Sequence, residues 1–143
     1  CYTGALEVAL AADFILASDT AKFADTHAKW ALTPIWGMSQ RLPRRVGTAT
    51  AKRLMFTAET VKADEALRMG LCEAVFPEDR FEEKLETFAR RILENSPFSH
   101  AANKHLLEAT DMDPMDAGLQ WEITENEGVG PDMQARIGAF MKK

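Results

Sequence analysis

The sequence predicts an α/β chain whose C-terminal half is helical, on three observations. Short apolar segments bounded by turn residues, Phe14–Ser18, Lys22–Ala24 and Leu71–Phe76, read as strands. An alanine-rich run and two glycine-bounded segments place helices between them. Beyond Pro77 the apolar residues recur only at intervals of three and four, the period of helices. At 143 residues there is room for one modest domain or for a large piece of a bigger one. With 46% hydrophobic and 27% charged residues the composition is globular rather than disordered. Its longest apolar runs, Val8–Ala12 and Phe14–Ala17, are far too short for a bilayer span, so no membrane partner is expected. A net charge of −5 works against a broad polyanion-binding surface, and no nucleic acid partner is expected either.

The elements follow in order. Gly4–Ala12, interrupted by one acid, reads as a buried helix headed by glycine and ended by Asp13. Phe14–Ser18 is a buried strand, Ser18-Asp19-Thr20 a turn, and Lys22–Ala24 resumes extended. Asp25–Gly37 is irregular, broken by Pro34 and Gly37, and gathers the rings of His27, Trp30 and Trp36 in one loop-rich segment of the kind that carries binding chemistry. Ser39–Val46 reads as a short helix with Pro43 near its first turn. Thr48 is expected to cap a helix over Ala49–Thr57, Glu59-Thr60-Val61 to connect, and Lys62–Met69 to form a helix closed by Gly70. Arg80–Asn95 is the clearest amphipathic helix, broken at Ser96-Pro97, and helices follow over Ser99–Ala109, Asp116–Gly128 and Asp132–Met141.

Few residues carry chemistry on their own. Gly4 and Glu7 stand three apart, so an amide at the helix start and the Glu7 carboxylate share one side. Unpaired N–H groups at a helix start stabilise an anionic oxygen, and an acid within reach can move a proton on the same bound molecule. A capping or ion-paired glutamate is the competing reading. A histidine side chain can serve as acid or base, and His27 has Asp25 and Thr26 beside it, either of which can orient the ring; a structural histidine is the alternative. His100 and His105 are five apart, which separates them on a helix, and no Glu or Cys completes a zinc pattern, so no metal is expected. Cys1 and Cys72 form neither a framework nor a metal motif and read as thiols of a reducing compartment. The basic residues Arg41, Arg44, Arg45, Lys52 and Arg53 suit a solvated face or a subunit contact. The chain opens Cys1-Tyr2-Thr3-Gly4 without methionine or a signal-like segment, and a preceding region is expected to be missing.

Gly4-Ala5-Leu6-Glu7-Val8-Ala9-Leu10-Ala11-Ala12-Asp13, Ala21-Lys22-Phe23-Ala24 and Gln40-Arg41-Leu42-Pro43-Arg44-Arg45-Val46-Gly47, in that order and spacing, resemble the crotonase superfamily of enoyl-CoA hydratases and isomerases. Ala63-Asp64-Glu65-Ala66 with Gly70-Leu71, and Asn95-Ser96-Pro97 with Lys104, resemble its later landmarks. The resemblance implies a ClpP/crotonase-like spiral of βα turns, with residues 1–77 the C-terminal part of the core and 78–143 a helical trimerisation region. It implies an acyl-CoA thioester as substrate, coenzyme A being part of the substrate rather than a separate cofactor. It also implies a homotrimer or a hexamer built as a dimer of trimers and a place in fatty acid metabolism; a cytoplasmic location is expected from the lack of a visible targeting segment.

The resemblance also assigns residues. Gly4 maps to one of two backbone donors of an oxyanion hole, the other preceding Cys1; one such donor is worth about 3 kcal/mol of barrier stabilisation. Glu7 falls at the first of the two glutamates of hydratases, and His27 falls at the second, so a Glu/His pair would share water activation and protonation of carbon. The same departure suits isomerisation, thioester hydrolysis or another enolate reaction. The glycine-rich turn reads here as Pro34-Ile35-Trp36-Gly37-Met38, whose larger side chains reshape the acyl pocket. Phe140 and Lys143 match an aromatic residue and a lysine that reach the adenine and phosphates of coenzyme A. A non-catalytic acyl-CoA-binding or oligomerisation module, or a fragment without activity of its own, is the rival expectation.

Overall fold

In the computed structural model, which describes residues 1–108, 115–126 and 128–141, the alanine-rich run becomes helix α1 (Gly4–Ala9). It is shorter than the sequence suggests. After Ala9 the chain winds into tighter bonds, Ala11 N–H to Val8 O at 3.1 Å and Ala12 N–H to Ala9 O at 3.1 Å, and leaves the helix. The way out is pinned from a distance, because Glu73 Oε2 accepts the Ile15 N–H at 2.6 Å. Strand β1 (Leu16–Ser18) follows, then β2 (Lys22–Phe23), a 3₁₀ turn over His27–Trp30, and helices α2 (Met38–Val46) and α3 (Thr48–Thr57). Strand β3 (Val61–Lys62), helix α4 (Ala63–Arg68), strand β4 (Ala74–Phe76) and α5 (Phe81–Leu93) complete this part.

The strands pair in twos. β1 and β4 lie parallel, Leu16 opposite Ala74 and Ser18 opposite Phe76. β2 and β3 lie antiparallel, Phe23 opposite Val61, while Tyr2 bridges Ala24. β3 falls where the sequence suggests a connector and the start of a helix. Two residues are too few to show a period of two, and the pairing that makes them a strand comes from 38 residues upstream at Phe23.

Two local expectations are corrected in the α2–α3 pair. Pro43 lies sixth of nine residues in α2, not in its first turn. Its ring removes the bond that an N–H there would make to Ser39 O, a loss offset by the complete burial of Met38 and Leu42 on the inner face. Thr48 is the first residue of α3 rather than its cap; Gly47, at φ +80°, holds the capping position and no side chain caps the helix. Gly70 closes α4 as expected. At φ +78° it allows Leu71 N–H to reach back to Ala66 O at 2.8 Å, the glycine-dependent ending of a helix.

The chain divides into two units, Cys1–Leu85 and Glu86–Lys143. The core of the first gathers Leu6, Met38, Leu42, Leu54, Val61 and Leu71, all essentially without exposure. Truncating any of its leucines to alanine is expected to cost about 2–5 kcal/mol. Cys72 joins this core, where burial raises the pKa of its thiol, and both cysteines are free. The four arginines of the basic cluster make contacts within the chain. Arg41 donates to Trp36 O at 2.6 Å, Arg44 to Gln40 O at 2.8 Å, and Arg53 pairs with Glu59 and Glu65, the bond to Glu65 raising its pKa. Arg45 donates to Leu71 O at 2.9 Å and pairs with Glu73, the same side chain that holds Ile15.

In the second unit α6 (Pro97–Glu108) opens with proline at its first position, and α7 (Met115–Glu125) and α8 (Met133–Phe140) follow. Ser96 donates to Asp132 Oδ1 at 2.8 Å, Asp132 accepts from Arg136 at 2.6 Å, and Arg136 donates to Glu94 O at 2.7 Å. This chain of bonds ties the start of α8 to the end of α5. His100 donates to Ile92 O at 2.9 Å and His105 lies 3.6 Å from Glu125, so the two rings have separate engagements. Among the described residues no helix is long and apolar enough to cross a membrane.

Candidate active site

Gly4 begins α1 behind a strained residue. Thr3 has φ +51° and ψ −111°, a conformation that a β-branched side chain adopts only when its surroundings enforce it. Those surroundings are specific: Thr3 N–H donates to Ala24 O at 2.8 Å, and Thr3 Oγ1 accepts from Thr26 N–H at 3.2 Å and is bonded to Thr26 Oγ1. The first amide of α1 is thereby aimed by β2 and the residues after it. Among the described residues no acceptor takes the Gly4 N–H. A Cβ on Gly4 would meet the Trp36 ring at 2.9 Å, so the indole lies against this glycine.

One turn on, Glu7 is 2% exposed. Its Oε1 accepts the Trp36 N–H at 3.0 Å and the Met38 N–H at 3.1 Å. These donors flank Gly37 at the start of α2, where N–H groups lack helical partners, so a carboxylate from α1 caps another helix. The capping alternative foreseen for Glu7 therefore describes one oxygen. The other, Oε2, faces His27 Nε2 at 3.8 Å, beyond direct hydrogen-bond reach.

His27 starts the 3₁₀ turn and is 9% exposed. Of its two sequence neighbours Asp25 meets the ring, with Oδ1 2.5 Å from Nδ1; Thr26 is occupied with Thr3. The same Oδ1 accepts the His27 backbone N–H at 3.1 Å. Asp25 is itself 1% exposed, and its Oδ2 has no hydrogen-bond partner among the described residues. The result is a row, Asp25, His27, Glu7, buried at the start of α1 and ending at the N-terminus of α2.

The segment Pro34–Gly37 lies beside this row. Trp36 is fixed at both ends of its peptide, its N–H on Glu7 and its C=O on Arg41, while Ile35 and the Trp36 ring remain largely exposed. Gly37 has φ +109°, and a Cβ there would collide with the Arg41 guanidinium. Phe140 is the last residue of α8, and Lys143 lies outside the described residues. The structure thus brings together Gly4, Glu7, His27, Trp36 and Gly37. The donors from Trp36 and Met38 were not foreseen, although a glycine followed by a helix start signals N–H groups that need an acceptor.

A family model described as Enoyl-CoA hydratase/isomerase matches residues 1–138. The chain is 34% identical over 145 residues to the short-chain-enoyl-CoA hydratase of Clostridium acetobutylicum, covering 98% of this chain and 54% of that protein. It is 40% identical over 90 residues to the crotonyl-CoA hydratase of Syntrophomonas wolfei, covering 63% of this chain and 35% of that protein. Among solved structures, the enoyl-CoA hydratase from Bacillus anthracis superposes with a TM-score of 0.94 at 33% identity, covering 99% of this chain and 56% of that one. The chain thus spans about half the length of the first of these relatives.

Proposed function

Because the chain belongs to the enoyl-CoA hydratase/isomerase family, we propose that the full-length protein acts on acyl-CoA thioesters and adds water across the double bond of a short 2-enoyl-CoA. Hydration needs one group to take a proton from water as its oxygen bonds to the β-carbon, and one to give a proton to the α-carbon. In between, negative charge collects on the thioester oxygen, where Gly4 N–H serves as a donor. Glu7 Oε2 and His27 Nε2 share the two proton transfers. The approach of these atoms to 3.8 Å, with both side chains buried, is the observation that carries this reading. Pro34, Ile35, Trp36 and Gly37 line the acyl group, and Phe140 and Lys143 of a neighbouring subunit are assigned to the coenzyme A portion. The helices after residue 78 assemble the protein as a homotrimer or a dimer of trimers.

A second reading is favoured by the two bonds to Glu7 Oε1, which make the carboxylate a cap for α2 and nothing more. Glu7→Gln separates the two readings, since the amide oxygen still accepts both N–H groups while the proton-transfer group is gone. With crotonyl-CoA as substrate, the variant should fold with near-native stability and lose about 10²- to 10⁴-fold in kcat. Turnover at the wild-type rate would leave Glu7 its capping role alone.

A further inference from the structure

We propose that Asp25 is a positioning residue, holding the His27 imidazole in the tautomer that carries its proton on Nδ1 and presents an unprotonated Nε2 to Glu7. The inference rests on the proton-transfer reading above and deepens it by saying where the imidazole proton resides before reaction.

The geometry assigns the Nδ1 side of a neutral imidazole. Asp25 Oδ1 lies 2.5 Å from Nδ1, and an ionised carboxylate oxygen only accepts, so Nδ1 must be the donor. In the neutral ring the lone pair then sits on Nε2, the nitrogen directed at Glu7 Oε2. The same Oδ1 also holds the His27 backbone N–H at 3.1 Å, so one atom references the ring to its own main chain and fixes its direction. Thr26 offers no competing partner, being bonded to Thr3. The arrangement carries a cost: Asp25 Oδ2 is buried with no hydrogen bond from the described residues. A carboxylate kept only to fill space would bear that cost without return, whereas one that orients a base needs its charge beside the ring. The logic is that of an acid–base–orienter series, with Asp25 acting on the reaction only through His27.

The test begins with the wild-type full-length protein, labelled with ¹⁵N and observed at a pH where His27 is neutral. Nδ1 should carry the proton and Nε2 should not; the opposite assignment overturns the proposal without any variant. In Asp25→Ala the ring loses its acceptor and should shift toward the Nε2–H form, which can then turn to Glu7. With crotonyl-CoA, kcat of that variant should fall about 10²-fold while KM stays within about threefold. The double variant D25A/H27Q should be no slower than H27Q, because a positioning residue has nothing left to position. An unchanged tautomer in Asp25→Ala, or losses that multiply in the double variant, overturns the proposal. If the wild-type protein hydrates no enoyl-CoA, the proton-transfer reading falls by itself, and the two tautomer measurements still decide the role of Asp25.

Discussion

Glu7 divides its two oxygens between the start of α2 and His27, and neither contact could be read from its neighbours in the chain. That Gly4 and Glu7 share a side follows from a spacing of three on a helix, a local rule that needs no tertiary information. That Oε1 meets N–H groups at positions 36 and 38 depends on how α1 and α2 pack, which no local pattern encodes. His27 was legible as an ionisable ring with two possible orienters, and the structure resolves the choice because Thr26 is drawn away by Thr3. The row also explains why a glutamate does not simply substitute at position 27. Its carboxyl group would lie against Asp25 and beside Glu7, a third buried carboxyl group where the ring now separates two. His27→Glu is therefore expected to lower stability by about 3 kcal/mol, read from urea unfolding near neutral pH. Unfolding at the wild-type midpoint would contradict this account of the site's charges.

The elements differed in how far local sequence revealed them. α5 shows several turns of amphipathic spacing and appears within two residues of its expected start and end. β3 is two residues long and exists through its pairing with β2, so it was hidden. Pro43 misled because helix-breaking chemistry is a strong local signal, here outweighed by the buried face of α2. The start of α2 is the element boundary on which the site depends most. Gly37 at φ +109° turns the chain so that the amides on either side of it converge on one carboxylate oxygen. Gly37→Ala should destabilise the protein by about 1–3 kcal/mol, measured by thermal or urea denaturation, since alanine resists that conformation and its Cβ meets Arg41. A variant as stable as the wild type would show that α2 can begin without the glycine.

At the scale of the whole molecule, the family was legible in three blocks of sequence, and the α/β class with its helical second half matches the structure. The positions of the site residues relative to one another were not, because they come from α1, the 3₁₀ turn and the start of α2, brought together by the packing of the first unit. Large apolar side chains, among them Trp30, Ile35, Phe56, Leu93 and Ile123, lie exposed on the two units. On the proposed mechanism Glu7 and His27 transfer protons to and from one bound thioester. This transfer is tested most directly by following deuterium incorporation at the α-carbon when crotonyl-CoA is offered in D₂O to the full-length protein, to Glu7→Gln, to His27→Gln and to the double variant. Each single variant should incorporate deuterium at least about 10²-fold more slowly, and the double variant no more slowly than the slower single one. Incorporation at the wild-type rate by either single variant would contradict the account.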